Sequence, residues 1–171
     1  MKTFAKTSEY IDRLRKTCLK PEFEHFPLML SGTAICIYRI NQFNEVEILL
    51  QKNLDTKKFE LPGGNFELKE YDSKEAAIKR LREKTNILII LRDFLSFFNV
   101  YPNIKIEFKN KDTIFNTIIV YTITEELCDP YSFISNDENL HLEWLTSKEC
   151  TKLKIAKHNI QILDDLFNRL K

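Results

Sequence analysis

The sequence is short of glycine, of histidine and of long apolar runs. Only three of its 171 residues are glycine and only three are histidine. The histidines are isolated from one another and form no HxxxH or HExxH pattern, so a histidine-based metal site is not predicted. The longest purely apolar runs, such as residues 87–91, fall far below the roughly 20 residues that a membrane-spanning helix needs. We therefore expect no membrane partner.

An excess of charge of one sign is also missing. Lys and Arg number 26 and Asp and Glu number 25, which leaves a formal net charge of +1. A protein this close to neutrality has no overall positive field to draw it onto nucleic acid, so no nucleic-acid partner is expected. The N-terminus lacks the apolar stretch of a secretory signal, and we accordingly expect a cytoplasmic protein.

Cysteine is scarce and scattered. The four cysteines, at positions 18, 36, 128 and 150, form no CxxC and no Cys/His ligand pattern. Structural zinc and a disulfide framework are therefore not predicted. We expect reduced thiols that pack as small hydrophobic side chains.

What is present suits one globular domain with an N-terminal extension. Hydrophobic residues make up 43% of the chain and charged residues 30%, without an internal repeat or a long linker. Residues 8–19 have helical spacing of apolar residues, and a connector containing Pro21 and Pro27 follows. We assign residues 1–29 to this extension and residues 30–171 to the domain.

The domain alternates strands with helices. Residues 32–40 and 46–52 predict a hairpin, and a short strand covers residues 59–61. A helix is predicted next, with Ser73 as its N-cap and Asn86 as a left-handed C-cap. Five apolar, β-branched or aromatic stretches then read as strands: ILIIL, FLSFFNVY, IKIEF, IFNTIIVYTIT and LHLEWL.

A closing helix is predicted over residues 155–170. Its apolar residues share one helical face, namely Ile160, Leu163, Leu166, Phe167 and Leu170. The order of helices and strands predicts an α+β fold with a mixed sheet covered on both faces.

The stretch FELPGGNFELKEYDSKEAAIKRLREKTNI, residues 59–87, carries two of the three glycines. Gly63 and Gly64 between a strand and a helix are able to present backbone amides to phosphate oxygens, although an ordinary turn is the explanation that the residues alone favour. Glu67 and Glu70, with the helix glutamates, suit a hard cation such as Mg²⁺. The alternative is a solvated helix face with ion pairs four residues apart.

This stretch resembles the box of the Nudix hydrolase family. The box consists of a glycine, five residues, a glutamate, seven residues, and then R-E-U-x-E-E-x-G-U, where U is aliphatic. Gly64 and Glu70 match its first half, and Glu83 matches in the second half. The resemblance extends to Leu61–Gly64 and Glu67, because the fuller pattern begins with L-P-G-G and has a further glutamate. It implies a Nudix-like α/β/α sandwich.

The box is degenerate in its second half. Eight residues separate Glu70 from Lys79, which stands where the family has arginine. Arg80 and Lys84 replace two glutamates that hold metal in the family. This exchange changes the local charge by about four units, and one cation about 4 Å from another costs roughly 4 kcal/mol at an effective dielectric of 20. We therefore expect a weak magnesium site or none.

The resemblance also implies roles for individual residues. Glu83 and Glu70 would be catalytic, and Glu83 and Glu67 would bind Mg²⁺. A carboxylate from Asp137 or Glu138 would complete that set. Substrate-binding residues would be Gly63, Gly64, Arg80, Lys84 and Phe59. A nucleobase would stack on an aromatic residue, for which Tyr38, Phe59 and Trp144 are candidates.

Three functions stay open at this point. The first is a Mg²⁺-dependent hydrolase of a phosphoanhydride in a nucleoside diphosphate-linked small molecule. The second is an inactive nucleotide-binding or regulatory module, in which Arg80 and Lys84 neutralise phosphates directly. The third is a scaffold that acts through protein contacts of the segment FEHFPLML, residues 23–30. A homodimer formed through this segment is compatible with that function. The expected partner of the first two is a small nucleotide derivative.

Overall fold

A computed structural model describes residues 28–66, 72–107, 113–134 and 140–170. The predicted N-terminal helix lies outside these ranges, so it stays a prediction. The described strands are β1 (Leu28–Ile40), β2 (Val46–Asn53), β3 (Lys58–Glu60), β4 (Gly63–Asn65), β5 (Ser96–Glu107), β6 (Thr113–Thr124) and β7 (Leu140–Thr146). The described α-helices are α1 (Ser73–Lys84), α2 (Ser147–Cys150) and α3 (Lys157–Arg169).

The seven described strands form one mixed sheet, as predicted. Its main path runs β3-β2-β1-β6-β5, with β4 added beside β1 and β7 beside β2. Strands β1 and β6 are parallel over eleven residue pairs, and the other pairings are antiparallel. The predicted hairpin is confirmed by the pairing of Tyr38 with Ile48. Among the described residues, β5 therefore has one edge without a strand partner.

Both faces of the sheet are buried, which confirms the α/β/α arrangement. On one face Cys36 and Leu50 pack against Leu166 of α3. On the other, Ile35 packs in a cluster with Leu81 of α1. Neighbouring residues of β1 thus enter opposite cores, because successive side chains of a strand point to opposite faces. This explains why β1 is apolar without interruption from Ala34 to Ile37.

The N-cap of helix α1 lies one residue earlier than the sequence predicts. The N-cap is Asp72, whose carboxylate accepts hydrogen bonds from the backbone N–H groups of Lys74 and Glu75, at 2.7 and 3.2 Å. The prediction of Ser73 as N-cap was therefore wrong. The sequence did not separate the two neighbouring positions, because Asp and Ser have nearly equal preference for the N-cap. The hydroxyl of Ser73 instead forms a hydrogen bond with that of Tyr121, at 2.5 Å.

The end of α1 also differs from the prediction. Its C-cap is Thr85 in extended conformation, and the hydroxyl of Thr85 donates to the carbonyl of Leu81 at 2.8 Å. Among the described residues other than glycine, only Asn44 and Lys57 have positive φ. The prediction of a left-handed C-cap at Asn86 was therefore wrong. A side-chain hydrogen bond ends the helix without a left-handed residue.

The stretch ILIIL is not a strand. It forms a single bridge, between Ile89 and Cys128, and alternates buried Ile87 and Ile89 with exposed Leu88 and Ile90. The two strands predicted after it are one continuous strand, β5, whose pairing with β6 shifts register twice. Apolar content alone does not distinguish a strand from a buried connection.

Helix α3 confirms the predicted closing helix, with narrower bounds. Leu163, Leu166 and Phe167 are buried as expected. Ile160 is 49% exposed, so its assignment to the buried face was wrong. Asn159 is buried there instead, at 4% exposure, and its Oδ1 accepts a hydrogen bond from the backbone N–H of Leu61 at 2.9 Å. No helix within the described ranges is long and apolar enough to cross a membrane.

Candidate functional site

The two neighbouring glycines lie in β4, beside β1. A Cβ on Gly63 would stand 2.2 Å from the carbonyl oxygen of Thr33 and 2.9 Å from the Cα of Ala34. A Cβ on Gly64 would meet Cδ of Arg80 at 3.0 Å. Neither glycine has positive φ. Both are therefore fixed by close packing, Gly63 against the backbone of β1 and Gly64 against a side chain of α1.

Arg80 joins α1 to β4. Its side chain is only 8% exposed, and its Nε donates to the carbonyl oxygen of Asn65 at 2.9 Å. Its Nη1 donates to Oε2 of Glu83, one turn along the helix. A buried guanidinium retains its charge and needs such partners. The only described carboxylate that matches the second half of the box is thus paired with a cation.

Lys84 belongs to a second charged group, centred on Glu60 of β3. The Glu60 carboxylate accepts a hydrogen bond from Nε2 of Gln51 at 2.8 Å and lies 3.5 Å from Nε2 of His158. Burial raises the pKa of Glu60, but the hydrogen bonds from His158 and Gln51 and the positive charges of Lys84 and His158 outweigh it and leave the pKa below its ordinary value. Glu60 is therefore held as an anion at the start of the Leu61–Gly64 turn.

The described residues do not fit a magnesium site on α1. Within the described ranges, no group of three or more His, Cys, Asp or Glu side chains is arranged to hold a metal ion. Mg²⁺ prefers several oxygen ligands in near-octahedral geometry. Here Glu83 is engaged by Arg80, and the positive charge of Lys84 contributes to the lowered pKa of Glu60. The predicted ligand Glu67, the predicted catalytic Glu70, and Asp137 and Glu138 all lie outside the described residues.

A cavity of about 280 Å³ opens on the α3 side of the sheet. Its apolar wall comes from β5 and α3 and includes Ile104 and Ile162, while His158 and Lys157 supply polar groups. Tyr101 also lines it, and its hydroxyl donates to Asp165 at 2.8 Å, which fixes the ring. His158, which lines the cavity, also contacts Glu60, the residue before the Leu61–Gly64 turn.

The three aromatic residues predicted as candidates for base stacking do not line this cavity. Phe59 is 2% exposed and lies within the core, and its predicted role in substrate binding stays a prediction. Trp144 carries the guanidinium of Arg39 on its ring at 4.3 Å and packs against Phe133. Trp144 and Tyr38 are partly buried on opposite sides of the sheet. Neither lines the cavity beside α3.

Sequence reasoning missed Glu60, His158 and Asn159. His158 was interpreted as an isolated residue, because its partner Glu60 lies far away in the sequence. Leu61 and Asn159, which are hydrogen-bonded, are 98 positions apart. The alternation of β3 offered one signal. Phe59 faces the core, so Glu60 must face the other side.

Comparison with known proteins gives one family. A family model described as "NUDIX domain" matches residues 30–166. No match was found among curated proteins.

Solved structures of similar fold include three that cover most of this chain. The NUDIX domain of Shewanella oneidensis NrtR, complexed with ADP ribose, is 13% identical, covers 94% of this chain and 99% of its own, and has a TM-score of 0.60. A C. elegans Ap4A hydrolase in a binary complex is 19% identical, with coverage of 82% and 97% and a TM-score of 0.60. A Nudix hydrolase from M. smegmatis, RenU, is 14% identical, with coverage of 82% and 87% and a TM-score of 0.58. At these identities the likeness concerns the fold alone.

Proposed function

The chain belongs to the NUDIX domain family, and from this premise we propose that it binds a nucleoside diphosphate-linked small molecule without a metal cluster on α1. The proposed site comprises the cavity beside α3 and the Leu61–Gly64 turn, with Lys84 as the nearby cation. Binding, rather than metal-supported hydrolysis, is the function that this arrangement favours.

The position of Arg80 is the observation that carries the proposal. A carboxylate at this position would add negative charge beside Glu83, as a metal site requires. Instead, a buried guanidinium neutralises Glu83 and holds the carbonyl of Asn65. A divalent cation near Glu83 would be repelled by Arg80, by roughly 4 kcal/mol per unit charge at 4 Å and an effective dielectric of 20. In this proposal Arg80 acts as a positioning residue for β4.

Lys84 supplies the charge that a diphosphate needs. It is partly exposed, unlike Arg80, and its charge reaches Glu60 at the start of the glycine turn. An ammonium group offers three donors to phosphate oxygens. Gly63 and Gly64 keep β4 close to β1 at the same place. We assign the diphosphate to this region of the surface.

The cavity beside α3 is assigned to the nucleoside part. Its volume of about 280 Å³ lies near the lower limit of small-ligand pockets, which is roughly 300 Å³. Apolar walls with a few convergent polar groups are typical of such sites. Of the solved structures of similar fold, one is a complex with ADP ribose and one is an Ap4A hydrolase, which supports ADP-ribose and Ap4A as the first ligands to test.

A hydrolase with a weakened metal site is the second candidate. The Glu83 side chain is 47% exposed, so one of its carboxylate oxygens remains accessible to solvent. In this alternative, Glu83 and Glu67 hold Mg²⁺, and Glu70 acts with Glu83 in catalysis. These roles stay proposals.

Calorimetry with ADP-ribose and with Ap4A, each in Mg²⁺ and in EDTA, distinguishes the two candidates. Metal-independent binding without release of product is the expected result. Lys84→Gln should weaken binding about tenfold or more, because a hydrogen bond to a charged group contributes about 1.5–3 kcal/mol. The matched control is Lys152→Gln, at an exposed lysine after α2, which should leave binding unchanged.

Two outcomes would contradict the binding proposal. One is Mg²⁺-dependent product release that Glu83→Gln abolishes, which would establish the hydrolase instead. The other is an absence of binding to either ligand in both buffers while the protein is folded by circular dichroism.

A further inference from the structure

Exposed apolar side chains are concentrated on one strip of the surface. Of the thirteen exposed large hydrophobic residues in the described ranges, six lie in two adjoining segments, the connection from α1 to β5 and the turn before residue 135, and a seventh is the second residue of β5. We call them the apolar strip: Leu88, Ile90, Leu91, Phe94, Phe97, Tyr131 and Ile134.

The two segments of the strip are joined by hydrogen bonds. The backbone N–H of Leu88 donates to the hydroxyl of Ser132 at 3.0 Å, and that of Asn86 donates to the carbonyl of Ile134 at 2.8 Å. A third bond runs from the N–H of Asp129 to the carbonyl of Leu88, at 2.8 Å. The strip is therefore one continuous feature held to the domain by its backbone.

The outward direction of these side chains is fixed by their buried neighbours. Ile87, Ile89 and Leu95 enter the core on the α1 side of the sheet. Leu88 and Ile90, between them, are 43% and 61% exposed. Phe94, at 60% exposure, follows a tight turn in which its N–H donates to the carbonyl of Leu91 at 3.2 Å. These side chains cannot turn inward without displacing core residues that are already packed.

The exposed area is larger than a monomer usually leaves open. At roughly 200 Å² for an aromatic side chain, the exposed fractions of Phe94, Phe97 and Tyr131 correspond to about 400 Å², and the four aliphatic side chains add a comparable area. The largest apolar patch on a typical monomer is about 300–600 Å². A specific interface of standard size buries about 800 Å² on each partner. One strip therefore supplies one half of such an interface.

We propose that the apolar strip is the interface through which two copies of this chain form a homodimer. A two-fold axis places the same strip on both copies, so each apolar side chain meets apolar surface. The exposed charges within the strip are of opposite sign, Arg92 and Asp93, which suits self-pairing better than a strongly acidic or basic partner. The cavity beside α3 is on the other side of the sheet and stays accessible in such a dimer.

Sedimentation velocity of the full chain over the micromolar range tests this proposal. The expected species has twice the 20.3 kDa mass of one chain. Phe94→Glu and Ile90→Glu should each raise the dimer dissociation constant at least about tenfold, because a charge would be buried without a partner in the interface. Both positions are exposed in the monomer, so the variants should fold, as circular dichroism will check.

Phe43→Glu is the matched control. Phe43 is 73% exposed in the turn between β1 and β2, outside the strip, and this substitution should leave the dimer intact. A wild-type chain that stays monomeric throughout the concentration range overturns the proposal. So does a dimer that dissociates equally in the Phe43 variant, or one that both strip variants leave unchanged.

Discussion

Substitution of Gly63 by alanine tests the packing of the glycine turn. The new Cβ would stand 2.2 Å from the carbonyl oxygen of Thr33, whereas ordinary contact begins at 3.4 Å, so the atoms must separate by 1.2 Å. Both contacting groups are backbone, and neither is able to rotate away. The backbone of β4 must therefore move away from β1.

The size of the effect follows from the hydrogen bonds that flank Gly63. The N–H of Ile35 donates to the carbonyl of Pro62 at 2.9 Å, and that of Phe66 donates to the carbonyl of Ser31 at 2.8 Å. A shift above 1 Å weakens both, at about 1 kcal/mol each, and overpacking adds about 1–3 kcal/mol. We expect a loss of about 3–5 kcal/mol in the free energy of unfolding, which lowers the Tm by about 6–20 °C in a domain of this size.

Urea unfolding followed by circular dichroism measures this loss. Gly32→Ala is the control, because its nearest contact would be the Gly64 carbonyl at 3.2 Å, which requires a shift of only a few tenths of an ångström. Its cost should stay below about 1 kcal/mol. If the Gly63 and Gly64 neighbourhood were loosely packed, both variants would unfold at the same urea concentration. That result would refute the close approach of β4 to β1.

Three further measurements examine the surroundings of this turn. Gly64→Ala should cost about 1–2 kcal/mol in the wild type but much less in an Arg80→Ala background, where no Cδ remains; additive costs would contradict the contact. Because the folded pKa of Glu60 lies below its unfolded value, the carboxylate stabilises the fold above about pH 4.3 and this contribution is lost as pH falls through the folded pKa. Glu60→Gln should flatten the acid limb of a plot of unfolding free energy against pH, and an unchanged limb would argue against the assignment. Burial and then the charge of Glu149 raise the pKa of Cys150 to about 11, yet it is less buried than Cys36. Peptide mapping should therefore find Cys150 alkylated faster than Cys36, and equal rates would be inconsistent with the burial of Cys36 in the core.

Strand and helix positions were predictable where local pattern decides them. Thr113–Thr124 is rich in β-branched residues and Val46–Asn53 carries a short apolar run, and both patterns favour a strand. The stretch ILIIL had the same composition but no neighbouring strand edge to pair with, apart from one bridge to Cys128. Only Ile87 and Ile89 pack into the core on the α1 side, while Leu88, Ile90 and Leu91 are exposed. Composition does not contain that information, because a strand requires a partner.

The candidate site was predictable only in part. The glycine pair and the cations of α1 were visible as a degenerate box, because spacing along one helix and one loop is local. The roles predicted for Glu67 and Glu70 stay predictions, since both residues lie outside the described ranges. The position of the Phe59 ring in the core became known only from its burial in the folded chain. An aromatic residue next to a loop has the same sequence whether its ring faces a ligand or the core.

By itself, the sequence determined an α+β domain of the NUDIX family, with positive residues at positions where a metal-binding box has glutamates. Only the tertiary structure decided how those charges are used. Arg80 is buried against the carbonyl of Asn65, and Glu60 meets His158 across the chain. Helical and strand periodicities are local properties, so one chain segment suffices to read them. The partner of a buried charge is chosen by the packing of distant segments, which no local pattern specifies.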